Sequence, residues 1–120
     1  MTLITIKKRS EFLRSNKYSK KIHTQNFIIQ KLESNKTDNI PHFGFTITKK
    51  IGSAIVRNKI KRRLKSIIRE LLKYKDKYFD LSFNYILICK KEIVRVSFND
   101  LENELMNKFK SNRASKSKND

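Results

Sequence analysis

FGFTITKKIGSAIVRNKIKRRLKSIIRE, Phe43 to Glu70, changes its hydrophobic period halfway along, and that change decides the fold class. Phe43, Phe45 and Ile47 alternate with Gly44, Thr46 and Thr48, the period-two pattern of a strand. From Arg57 to Lys73 the period becomes helical. Ile60, Leu64, Ile67, Ile68, Leu71 and Leu72 fall within an arc of about 140°, the width of a core-facing stripe. Between the two, Lys49-Lys50-Ile51-Gly52-Ser53-Ala54 reads as a strand exit, where Gly52 can take positive φ and small residues admit a close backbone approach, such as to phosphate.

Outward from this segment, Asn26 to Leu32 (NFIIQKL) is a β-branched and aromatic run ending in the polar stretch Glu33 to Asn39. A strand and loop are expected there, and a hairpin with the Phe43 strand is the simplest pairing. Ser10 can cap a short helix carrying Glu11, Phe12, Leu13 and Arg14. Asn84 to Cys89 is almost continuously apolar, as in a central strand buried on both faces. Ser97, with Asp100 three residues on, opens a last helix on which Phe98, Leu101, Leu105, Met106 and Phe109 recur at helical spacing. The fold class is α+β, a single domain over residues 1–109, and the polar residues 110–120 are expected to form a disordered basic tail.

The chain has 120 residues, with 29 Lys and Arg against 11 Asp and Glu, a net charge of +18. That balance calls for a polyanionic partner, while 38% hydrophobic residues suffice for one modest core. No stretch is apolar enough for a transmembrane helix or a secretory segment, so a cytoplasmic protein is expected, with no membrane partner. A single cysteine, Cys89, permits no internal disulfide, and with His23 and His42 it forms no zinc-like spacing. Two glycines leave no room for a phosphate-cradling P-loop.

The charge is concentrated. Between Lys49 and Lys77 lie twelve basic residues and two acidic ones. Arg57, Lys61, Lys65 and Arg69 recur every four residues, stacking like charges along one line of the helix at a cost of a few tenths of a kcal/mol per pair. A face that needed only solvation would mix its signs; a persistent single sign is relieved by a polyanion. Asn58 fits two roles: a first-turn amide satisfying the helix backbone, or a donor and acceptor for a base edge or 2′-hydroxyl.

These residues also resemble a known family. An apolar strand, then Lys-Lys-hydrophobic-Gly-x-Ala, then Arg-Asn-x-x-Lys-Arg opening a long helix is similar to the signature segment of the bacterial ribonuclease P protein component. KKRSEF, QNFII, NYILICKK and SFNDLENEL extend the resemblance over Lys7 to Phe109. It implies an α/β sandwich in the order α-β-β-β-α-β-α, with a left-handed strand-helix-strand crossover and the third early strand obtained by splitting the stretch before Pro41. It implies a subunit that binds the catalytic RNA of ribonuclease P and the 5′ leader of precursor tRNA, with no obligatory protein partner.

Hydrolysis would belong to the RNA with bound Mg²⁺, so no catalytic or metal-holding residue is expected in this chain. By the resemblance, Arg57, Asn58, Lys61, Arg62 and Lys65 face the catalytic RNA, and Lys49, Lys50, Lys59 and Arg69 complete the candidate RNA-binding set. Lys65 stands where the family commonly has arginine, which forfeits bidentate phosphate geometry. Phe12 and Phe27 match aromatic positions of a leader-binding cleft between the first helix and the sheet, although core packing accounts for either ring equally well. Asn16 and Gln30 occupy two further positions where the family carries aromatics. A structural RNA-binding protein of the ribosome shares the charge and the α+β pattern, but would show no preference for leader-bearing tRNA.

Overall fold

Phe83–Cys89 is apolar on both faces, so its place is the middle of a sheet, where both edges are paired. The computed structural model, which describes residues 3–5, 20–33 and 39–112, puts it there. The strands are β1 (Ile4–Thr5), β2 (Lys20–His23), β3 (Phe27–Glu33), β4 (His42–Thr46) and β5 (Phe83–Cys89), in the order β1-β4-β5-β3-β2. The helices are α1 (Ala54–Leu72), a single turn α2 (Lys75–Tyr78) and α3 (Phe98–Ser111), with 3-10 turns at Lys49–Ile51 and Lys91–Arg95.

The expected hairpin between the Asn26 and Phe43 strands does not form. β3 pairs antiparallel with β2 on one side and with β5 on the other, whereas β4 lies parallel to β5. Eight residues, 34–41, separate β3 from β4, more than the two to five of a hairpin loop. The hairpin is instead β2–β3, closed by Thr24, whose Oγ1 accepts from the Asn26 and Phe27 amides at 3.2 and 3.0 Å. The stretch before Pro41 thus contributes two strands, as the family order implies. The short β1, parallel to β4 at the sheet edge, was not anticipated. The helix expected at Ser10 to Arg14, with Phe12, lies outside the described residues.

Strand alternation sends Phe27 and Ile29 of β3, Phe43 of β4, and Tyr85, Leu87 and Cys89 of β5 to one face of the sheet. There they meet all six stripe residues of α1 and the Leu101, Leu105 and Phe109 face of α3. Phe43, Phe79, Tyr85 and Phe109 form an aromatic knot with centroids 4.8–6.4 Å apart, each such pair adding about 0.5–1.5 kcal/mol beyond area burial. The Tyr85 hydroxyl stays satisfied by accepting from the Asp80 amide at 2.8 Å. On the opposite face of the sheet, Gln30, Leu32, Asn84 and Ile86 are buried while Ile28, Thr46 and Ile88 are half-buried. Helix α3 starts at its Ser97 cap, whose Oγ accepts from the Asp100 amide at 3.1 Å, and continues to Ser111, past the residue where the tail was expected to begin.

Candidate RNA interface

Because β4 and β5 are parallel neighbours, the chain must cross from one end of the sheet to the other between them, and α1 makes most of that crossing. Its apolar stripe covers the sheet, so its charged sides face solvent at the point where β4 ends. The start of the helix is built by three residues. Ser53 is the N-cap, with Oγ accepting from the Val56 amide at 3.3 Å. Gly52 holds φ +155°, a conformation that L side chains rarely adopt, and a Cβ there would also crowd the Val56 side chain at 3.2 Å. Arg57 folds back and donates from Nε to the Gly52 carbonyl at 3.2 Å, which orients its guanidinium across the turn.

With Ser53 as cap, Asn58 lies in the second turn and is exposed, so its backbone-capping role is excluded and its amide faces outward. Lys59, Lys61, Arg62 and Arg69 are exposed, as are Lys49 and Lys50 on the preceding 3-10 turn, while Arg57 and Lys65 are half-buried. Helical spacing gathers Arg57, Asn58, Lys61, Arg62, Lys65 and Arg69 within about 140°, an arc that overlaps one edge of the stripe at Arg57 and Lys61 and continues onto its flank. Lys59 falls outside that arc, on the far flank with Arg63. The candidate set is therefore one coherent face with Lys59 as its outlier. Within α1 the one carboxylate is Glu70, near the far end, which accepts from Lys73 Nζ at 3.2 Å.

Two features of this face could not be read locally from the sequence. Phe45 and Ile47, at the end of β4, meet Arg57, Asn58 and Lys61 around a recess of about 170 Å³. The second 3-10 turn, after β5, brings Lys91, Val94 and Arg95 beside Ile51 of the first, around a recess of about 340 Å³ that also includes Glu92. Both follow from the sheet order, which sets the ends of β4 and β5 side by side, and only the alternation at Phe45 and Ile47 gave any hint.

The leader-cleft assignment of Phe27 is corrected. Phe27 is completely buried, paired with Cys89 on the helix-facing side of the sheet, and offers no ring face to a base. Phe12 lies outside the described residues. Gln30 faces the opposite side, paired across from Ile86. Among the described residues, no three His, Cys, Asp or Glu side chains gather as a metal site would require, and no helix is long and apolar enough to cross a membrane. Burial pushes the Cys89 thiol up to about 12, the opposite of an activated nucleophile.

A small α+β domain that turns a one-sided basic helix outward from its sheet belongs to the RNA-binding class. The family model described as Ribonuclease P matches residues 2–112. Ribonuclease P protein components from Citrifermentans bemidjiense and Bacillus mycoides are each 34% identical to the chain, over 102 and 107 residues, covering 85% and 88% of it and 82% and 87% of the relatives. The Staphylococcus aureus RNase P protein structure superposes with a TM-score of 0.71 at 27% identity, covering 89% of this chain and 94% of that one. The RNase P protein from Thermotoga maritima, at 23% identity, shares the fold with a TM-score of 0.76, over 89% of this chain and 96% of its own. The chain belongs to the ribonuclease P protein family. A member of that family is the protein subunit of ribonuclease P, the endoribonuclease of tRNA 5′ processing.

Proposed function

We propose that α1 and the turn before it hold the folded catalytic RNA of ribonuclease P, while the sheet face opposite the helices serves the single-stranded 5′ leader of precursor tRNA. The observation that carries this reading is the one-sided basic arc from Arg57 to Arg69, continuous with Lys49 and Lys50 and begun by a donor-rich Arg57-Asn58 pair. Ammonium and guanidinium groups there neutralise phosphates, and the Asn58 amide addresses a base edge or a 2′-hydroxyl. The half-buried Ile28, Thr46 and Ile88 mark where the sheet remains accessible on its other side. Of the two aromatics that the resemblance assigns to the leader, Phe12 is kept in this reading and the buried Phe27 is not.

In this reading the chain supplies binding and charge neutralisation. Mg²⁺ held by the RNA would supply the hydrolytic chemistry, while this chain's residues bind the RNA and offset its phosphate charge. The protein acts in the cytoplasm, with the catalytic RNA and precursor tRNA as its partners and with no obligatory protein partner or membrane. Reconstitution tests this directly. RNA-free protein should leave precursor tRNA intact, and at low Mg²⁺ in near-physiological salt it should strongly raise cleavage by the catalytic RNA. Hydrolysis by demonstrably RNA-free protein, or no effect on the RNA's cleavage, would overturn the proposal.

A further inference from the structure

Lys73 to Phe79 (KYKDKYF) carries three aromatic rings, and the fold uses them differently. Tyr78 and Phe79 are buried, and Phe79 packs edge-on against Phe43 and Phe109. Tyr74, at the corner where α1 gives way to α2, is 62% exposed, the one exposed Phe or Tyr ring among the described residues. Its backbone is fixed on both sides: the amide donates to the Leu71 carbonyl and the carbonyl accepts from the Lys77 amide, each at 2.9 Å. The ring thus stands in water on a rigid corner, outside the core.

Lysines gather at the same corner. Lys73, Lys75 and Lys77 belong to it, and the Phe79–Phe109 contact brings the last turn of α3, with Lys108 and Lys110, beside it. The nearby carboxylates are Asp76 and Glu70, and Glu70 is engaged by Lys73. A fixed ring among cations matches single-stranded nucleic acid, in which a base face is flanked by phosphates. A base in a duplex keeps its faces in the stack, so the base that fits here is unpaired. The line Arg57, Lys61, Lys65, Arg69 continues at the same spacing to Lys73, so the partner laid along α1 is the one that arrives at Tyr74.

We infer that Tyr74 is a stacking platform for one unpaired base of the ribonuclease P RNA, a second foothold at the far end of the basic helix. The inference rests on the RNA-binding reading above and goes beyond it. About 21 Å of helix separates Asn58 from Leu72, so no single nucleotide serves both ends of α1. A line of charge holds a backbone without fixing where along it the protein sits, whereas a ring that needs an unpaired base fixes the register.

The test uses the full-length protein with the catalytic RNA, after thermal melts establish folding. The chain has no tryptophan, so Tyr74→Trp keeps a ring at the corner and makes it the single indole reporter. This variant should bind like wild type, and the RNA should quench its emission and shield it from acrylamide. Tyr74→Ser should bind about tenfold more weakly with an unchanged salt slope, because a stack is lost and no phosphate contact is. Among RNAs with single abasic sites, one unpaired position should reopen the indole to acrylamide and weaken wild type but not Tyr74→Ser. The inference is overturned if folded Tyr74→Ser binds like wild type, if the bound indole stays as open to acrylamide as the free one, or if precursor tRNA alone shields it and the catalytic RNA does not. The shielding measurement decides the matter even if Tyr74→Ser fails to fold. Failure of the RNA-binding reading itself looks different: wild-type protein would then not bind the RNA at all.

Discussion

Lys31 is buried on β3, and its ammonium pairs with the carboxylate of Asp80, in the segment between α2 and β5. The same Nζ donates at 3.0 Å to the carbonyl of Asn112 at the end of α3 and lies 4.7 Å from the centre of the Phe83 ring. One cation therefore joins the sheet, the crossover and the last helix, and its charge complements the negative end of that helix. It is used in the fold and so is unavailable to RNA, although it belongs to the same lysine-rich composition.

Removing one partner of such a pair leaves a buried charge, which typically costs about 3–5 kcal/mol, more than the pair itself contributes. Asp80→Ala should thus lower the unfolding free energy by about 3 kcal/mol in urea titrations. Adding Lys31→Met should recover a large part of that loss. A drop of under about 0.5 kcal/mol for the single variant would mean that solvent screens the pair.

If the α1 face neutralises six to ten phosphates, log affinity for the RNA falls with log salt by roughly 0.7 to 0.9 per contact. Lys61→Ala and Arg62→Ala should each reduce that slope by about one and weaken binding to different RNA sequences alike. Lys59→Ala, on the far flank, should change the slope much less. Slopes unchanged from wild type in Lys61→Ala and Arg62→Ala would assign the face to solvation alone.

Phe27 and Phe12 should fail differently. Phe27→Ala empties a fully buried site and is expected to cost about 3–5 kcal/mol, visible as a lowered melting temperature, with any loss of tRNA affinity shared by precursor and mature forms. Phe12→Ala should leave the fold intact and reduce the preference for precursor over mature tRNA, since stacking is offered only to an unpaired leader. Equal losses for both tRNAs in a folded Phe12→Ala variant would assign that ring to the core.

Cys89 provides a pH probe. Its thiol is raised from 9.0 to about 12 by burial, so the native state holds the proton more tightly than the unfolded chain does. The stability this protects is present below pH 9 and is lost as pH rises from 9 towards 12. At pH 8 the native protein should resist a thiol reagent and react fully in denaturant. Rapid labelling of the folded protein would show the strand end to be open.

The helix was legible because its stripe and its charges obey the same 3.6-residue period, and every stripe residue from Ile60 to Leu72 proved buried. The central place of β5 was legible from its unbroken apolar run. Pairing was not, because the alternation of Phe43, Phe45 and Ile47 defines a face without naming the neighbouring strand. Phe27 misled for a related reason: in a strand with both sides covered, an aromatic suits either face, and only the register with Cys89 decides. The recess at Phe45 and Asn58 joins two elements whose angle no local pattern encodes. By contrast, the one-sided line of charge along α1 was legible because residue spacing alone places it.

The central position of β5 also governs how the chain is made. Residues 83–89 leave the ribosome after β3, β4 and α1, yet both β3 and β4 need them as a hydrogen-bonding neighbour. Until then the nascent chain carries two incomplete strand edges and an apolar helix stripe without β5 and α3 against it, the kind of surface on which chains associate wrongly. The five-stranded sheet is therefore completed by insertion of its central strand, and a chain terminated before Phe83 lacks the strand that joins the β2–β3 pair to the β1–β4 pair.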